Sequence, residues 1–169
     1  MNFQIRNATE NDIPAIMSIM NARPSGKTKP EWYITDEEDA VRKCLCEQGF
    51  ILVAQTDLDV IAGFFIVKYP EREENLGKYL DFTDEQLEKV VLMDSVAILP
   101  EFRGNGLQGI LVKWAEEKID PARFRYLMCT VHPDNVYSLH NMQKLGYEVK
   151  KTVTCYGNNI RNVLLKEIK

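Results

Sequence analysis

The chain lacks an excess of positive charge. Its 169 residues carry a formal net charge of −4. A nucleic-acid binder needs a broad cationic surface to displace the counterions of a phosphate backbone, so no nucleic-acid partner is expected. Long apolar runs are also missing. None approaches the ~20 residues that cross a bilayer, and no N-terminal stretch resembles a signal peptide. A cytoplasmic protein with no membrane partner is the expectation. Sulfur and imidazole are scarce: Cys44, Cys46, Cys129 and Cys155, with His132 and His140. Their spacing makes no zinc set, so no metal is expected, and the cysteines read as reduced, buried thiols. No repeat, low-complexity tract or linker divides the chain, so residues 1–169 read as one domain. What is present is ordinary for a globular fold, 45% hydrophobic and 27% charged residues.

Taken in order, Phe3 to Arg6 alternates as a strand, and Asn11-Asp12-Ile13-Pro14 opens a helix carrying Ile13, Ile16, Met17 and Met20 on one face. Pro24, Gly26 and Pro30 break the pattern in a loop that carries Trp32 and Tyr33. Thr35-Asp36-Glu37-Glu38 has the form of a capping box, predicting a second helix that runs to Gly49. Phe50–Gln55 and Val60–Tyr69 form a hairpin pattern around Asp57-Leu58-Asp59. Residues 70–89 are acidic and read as a weakly ordered insert, with a helix start at Thr83. An apolar strand then runs from Val90 to Leu99. The next helix places Leu107, Ile110, Leu111 and Trp114 on one face. Tyr126–Val131 is a strand, Pro133-Asp134-Asn135 opens a short helix that stops at Gly146, and strands 147–156 and 162–168 flank a turn. One mixed sheet with helices on both faces fits this order.

The strand 90–99 ends in Pro100-Glu101-Phe102-Arg103-Gly104-Asn105-Gly106-Leu107-Gln108-Gly109 and feeds a helix. A Gly-rich turn at a helix N-terminus exposes backbone N–H groups to an anion, and Arg103 adds a planar cation suited to phosphate oxygens. Gly104 to Gly109 matches the G-x-G-x-x-G of dinucleotide folds, with Asp134 at a fitting distance. Too few residues follow it for that fold's further parallel strands, and the last two strands read as antiparallel. The same stretch resembles the acetyl-CoA loop of the GNAT superfamily of N-acetyltransferases, with Arg103, Gly106 and position 108 in the motif places. His132-Pro133-Asp134-Asn135-Val136-Tyr137-Ser138, closing with Lys144-Leu145-Gly146-Tyr147, is similar to that superfamily's second CoA-contacting motif.

The resemblance implies an α/β (α+β) fold: a mixed, mostly antiparallel sheet of about seven strands flanked by helices, with a splay between the fourth and fifth. It implies acetyl-CoA as co-substrate and an amine-bearing acceptor. Backbone N–H groups of Arg103, Gly104, Asn105, Gly106, Leu107 and Gln108 would ring the pyrophosphate. Val96, Ala97 and Ile98 would pair with the pantetheine arm, and Asn135 and Ser138 would hold it from the other side, unless both only cap the short helix. A strand amide near Ile98 would polarise the thioester carbonyl. Two positions depart from the pattern. Gln108 replaces Gly or Ala, so its side chain has to turn away from the phosphates. Met142 stands where many members carry a tyrosine general acid, and Tyr137 and Tyr156 are the alternatives. A thiol with a pKa near ~8.5 leaves without full protonation, so the chemistry survives that loss.

An attacking ammonium must lose a proton first, and Asp94 is the candidate base. Alternation puts it with Leu92, Val96 and Ile98 on an apolar face, where an unpaired carboxyl has a raised pKa. Pairing with a nearby Arg, or capping of backbone groups, would remove that role, and a bulge would reverse the direction of the side chain. Trp32, Tyr33 and the acidic insert are candidates to face the acceptor. The competing class is a non-catalytic acyl-CoA sensor or regulatory module, and a homodimer is left open.

Overall fold

The computed structural model describes residues 1–22 and 29–169; Pro24 and Gly26 lie outside them. Seven strands form one sheet in the order β1-β2-β3-β4-β5-β7-β6. They are β1 (Phe3–Asn7), β2 (Gly49–Thr56), β3 (Ile61–Lys68), β4 (Val90–Ile98), β5 (Tyr126–Val131), β6 (Glu148–Cys155) and β7 (Asn159–Glu167). All neighbours are antiparallel except β4 and β5, which run parallel. The helices are α1 (Ile13–Met20), α2 (Glu38–Lys43), α3 (Asp84–Leu87), α4 (Leu107–Lys118) and α5 (Val136–Lys144). No described helix is long and apolar enough to cross a membrane.

The strand pattern follows from what each face covers. On one face Leu52, Phe65, Val67, Val91 and Met93 pack against Leu107, Leu111, Val112 and Ala115 of α4. On the other, Ile51, Val53, Phe64 and Ile66 receive Ile13 and Ile16 of α1 and Val41 of α2. Further along that second face, Val90, Leu92, Met128 and Val163 are covered by Leu76. Central strands buried on both faces lose the polar alternation of a half-exposed strand, and β3 reads as a nearly continuous apolar run for that reason.

Several expectations are corrected. The second helix stops at Lys43, well short of Gly49, and its N-cap is Glu37, with no side-chain capping bond. Asp36, expected in the capping box, instead accepts from Lys68 Nζ at 3.1 Å. The insert 70–89 is ordered. Buried Asn75 accepts from Gly77 N and donates to Leu87 O, and Thr83 caps α3 as its sequence predicts. On α4 the buried stripe is Leu107, Leu111, Val112 and Ala115, while Ile110 and Trp114 are exposed. Cys46 is exposed too, because the chain has left the helix before reaching it. The other three cysteines are buried and free.

Candidate active site

The parallel pair β4 and β5 stays together for three residues only: Val90 with Tyr126, Val91 with Leu127, Leu92 with Met128. Beyond Leu92, β4 remains paired to β3 alone. A strand so placed leaves every second N–H and C=O without a ladder partner on one side, a ready edge for an extended ligand. The splay expected from the resemblance is therefore present, and it begins beside Asp94.

A bulge marks the spot. Ile66 pairs with Ser95 and Val67 with Met93, so Asp94 is the extra residue in β4. The extra residue changes the phase of the strand. Leu92 belongs to the core beneath Leu76, but Val96 and Ile98 pack on the α4 face with Val91 and Met93. Asp94 thus shares no face with Val96 and Ile98, contrary to simple alternation. It meets Lys68, whose Nζ lies 3.2 Å from Asp94 Oδ2 and 3.1 Å from Asp36 Oδ1. All three side chains are largely buried, 13% to 22% exposed. Burial pushes the Asp94 carboxyl up to about 7; Lys68 opposes that shift and Asp36 adds to it. For Lys68, burial works against the charge, but the two carboxylates together outweigh it and raise its pKa. The partner is Lys68 rather than an arginine, and the Asp94 shift outlasts it.

Asp94 opens on a cavity of about 380 Å³ that reaches into the splay. Ser95 and Val96 of β4, Thr130 and Val131 of β5, and Asn135 and Ser138 line it. Trp32, Tyr33, Asp36, Glu73, Glu74 and Tyr79 line it too. The aromatic pair and part of the acidic insert therefore do face this space. Asn135 caps α5, its Oδ1 accepting from Ser138 N at 3.3 Å, and its Nδ2 donates to no described residue. Gln108 turns toward α5, donating to Ser138 Oγ at 3.5 Å and accepting from Asn141 at 3.1 Å. It leaves the turn clear, as its position demands.

The turn itself lies outside the cavity lining. Pro100–Phe102 forms a short 3-10 helix. Gly104 and Gly106 then take left-handed φ of 83° and 71°, with open space where a Cβ would stand. Gly106 is the N-cap of α4, and Leu107 is buried in the core below. Asn105 donates to Phe102 O, and the Arg103 Nε donates to Ile98 O at 3.2 Å. Exposed N–H groups at the start of a 12-residue helix make this an anion site in form.

Met142 is buried against α4 and offers no proton. Tyr156, in contrast, lines the cavity and meets Thr130 Oγ1 at 3.4 Å. As a residue it is 48% exposed, yet burial around its hydroxyl pushes it up to about 12. Two lining residues had no signal in the sequence pattern. Lys68 reads as the polar end of a strand, and Arg161 falls just before the last predicted strand, which in the structure begins earlier, at Asn159.

A family model described as the acetyltransferase (GNAT) family matches residues 13–147. No curated protein sequence matches the chain. Among solved structures, the ribosomal-protein-S18-alanine N-acetyltransferase of Escherichia coli superposes with a TM-score of 0.72 at 13% identity, over 99% of this chain and 94% of that one. The acetyltransferase yncA of Salmonella typhimurium, solved with acetyl-CoA and described as putative, gives 0.68 at 16%, over 100% and 95%. Chaetomium thermophilum Naa20, in complex with a bisubstrate analogue, gives 0.75 at 17%, over 98% and 86%. At these identities the shared property is the fold.

Proposed function

The chain belongs to the GNAT acetyltransferase family, and from that premise we propose that it transfers the acetyl group of acetyl-CoA to a primary amine by direct attack in a ternary complex. The observation that carries the reading is the parting of β4 and β5 beside a bulged, buried Asp94. Acetyl-CoA, when bound, supplies the acyl group as a thioester.

The residues present fit such a ligand. Backbone N–H groups from Arg103 to Gln108 surround the place for a pyrophosphate, and the glycines keep it open. Val96, Ala97 and Ile98 offer β4's unpaired edge to the pantetheine amides. Asn135 Nδ2 and Ser138 Oγ approach the same arm from α5. An N–H of β4 near Ile98 polarises the thioester carbonyl.

The acceptor arrives mostly as an ammonium, with a pKa near ~10. Asp94, ionised above about 7, takes its proton directly or through one water. Lys68 keeps its own proton and holds Asp94 and Asp36 in register. Tyr156 Oη keeps its proton at neutral pH; as the C–S bond breaks it gives that proton to the departing sulfur and regains one from the nitrogen that attack has left protonated, a task closed to Met142.

Thiol release from acetyl-CoA, measured across a panel of amines, tests the reading. Amine-dependent release above hydrolysis is expected. CoA binding without such release on any amine would favour the sensor reading, and absence of CoA binding would overturn both.

A further inference from the structure

The geometry points to a carboxylate-binding subsite centred on Arg161, so that the acceptor is an amine that also carries a carboxylate. This rests on the acetyltransferase reading and names the acceptor class. Arg161 lies on β7, only 2% exposed, and it lines the cavity that Asp94 lines. Val163, two residues on, belongs to the core patch that holds Leu92 and Met128. Strand alternation therefore puts Arg161 on the sheet face of Asp94, across the mouth of the splay.

Its charge is unmatched. Among the described residues no carboxylate comes within 4.0 Å of the guanidinium; it donates only to Ile160 O at 2.8 Å and Glu31 O at 2.7 Å. Two carbonyls leave part of a planar fork of donors unused. A buried cation without a counter-ion is costly, and a fixed guanidinium matches a carboxylate through two parallel bonds. A second donor in the lining of this cavity has no acceptor among the described residues. The Trp32 Nε1 is buried and makes no hydrogen bond among the described residues, and Trp32 directly follows the Glu31 carbonyl that Arg161 holds.

The same cavity is also lined by carboxylates. Asp36 and Asp94 share the single ammonium of Lys68, leaving an excess of negative charge for an incoming ammonium. A cavity lined both by a buried guanidinium without a counter-ion and by two carboxylates that share one ammonium fits a ligand that carries an ammonium and a carboxylate together.

The test has two arms. In the first, the Arg161 Nε–H resonance of isotopically labelled protein, identified by its loss in Arg161→Lys, is followed while acetate, propionate and succinate are added. A saturable shift at millimolar carboxylate, absent with chloride, is expected. No shift with any of the three would overturn the subsite, whatever the enzyme acetylates. In the second, kcat/KM is compared for amino acids and the amines left by removing the carboxyl, leucine with isopentylamine and phenylalanine with phenethylamine. Peptides with a free C-terminus are set against their C-terminal amides, which separates free amino acids from chain ends as the source of the carboxylate. The acid member of a pair is expected to lead by about ten- to hundredfold, the range for a charge-assisted hydrogen bond. Arg161→Lys and Arg161→Gln should each shrink that ratio. Equal loss on both members would reduce Arg161 to a clasp on the Glu31 loop and overturn the proposal. If CoA fails to bind, the acetyltransferase reading falls while the resonance arm still decides the subsite.

Discussion

Asp94 shows how little a residue's neighbours in sequence say about its surroundings. Its carboxyl is held near about 7 by burial, against the pull of Lys68. Below that pH it carries a proton and cannot take one from an ammonium; above it the carboxylate is free to do so. The rate should therefore rise with pH through about 7, and Asp94→Asn should cut turnover by about a hundredfold and flatten that rise. CoA affinity, titrated separately, should hardly change. Wild-type rates across the pH range would remove Asp94 as the base. Tyr156→Phe is expected to lower kcat by only about tenfold, because a thiolate leaves readily without an acid. A fall beyond that would give the hydroxyl a larger part, and no fall would leave the departing sulfur without a side-chain donor. Lys68, Asp36 and Arg161 were not legible as site residues. Each sits where an ordinary strand end or helix cap would also put a polar group, and only their convergence on one cavity gives them a role.

At the scale of elements, the turn between β4 and α4 carries the firmest link from sequence to ligand. Gly106 caps α4 at a φ of 71°, with no atom within 4 Å of the point a Cβ would occupy. A side chain there meets no clash within the protein and is disfavoured by the backbone alone, by about 1–2 kcal/mol. Gly106→Val should lose that much stability in urea unfolding and also weaken CoA binding by more than tenfold, since the added methyls fill the space over the N–H groups. Unchanged affinity would move the pyrophosphate elsewhere. The free edge of β4 makes a separate prediction. Amides between Met93 and Ile98 that face β5 should exchange hydrogen rapidly and become protected when CoA is added. Exchange that ignores CoA would mean that the arm does not extend the sheet. The segment 70–89 shows why an acidic stretch reads as loose when it is not. Its order comes from a few buried groups, Leu76 and Asn75 among them, that the many exposed acids conceal.

For the whole molecule, a ligand bound only to the folded state stabilises it by mass action, about 2.7 kcal/mol at a hundred times its Kd. CoA should therefore raise Tm by several degrees, and NADH, fitting G-x-G-x-x-G alone, should not. A rise with NADH and none with CoA would reverse the assignment of the turn. The sequence by itself determined the seven strands and their succession along the chain, the Gly-rich turn and the helix start at Asn135. These are local: they depend on apolar periodicity, glycine conformation and motif spacing, which a linear chain displays. The tertiary structure alone decided which way Asp94 faces, because an extra residue in β4 shows only against β3's register. It alone joined Asp36, Lys68 and Asp94, and set Arg161 across from them. Burial and charge depend on groups brought together from distant parts of the chain, and no spacing along the sequence records their distance in space.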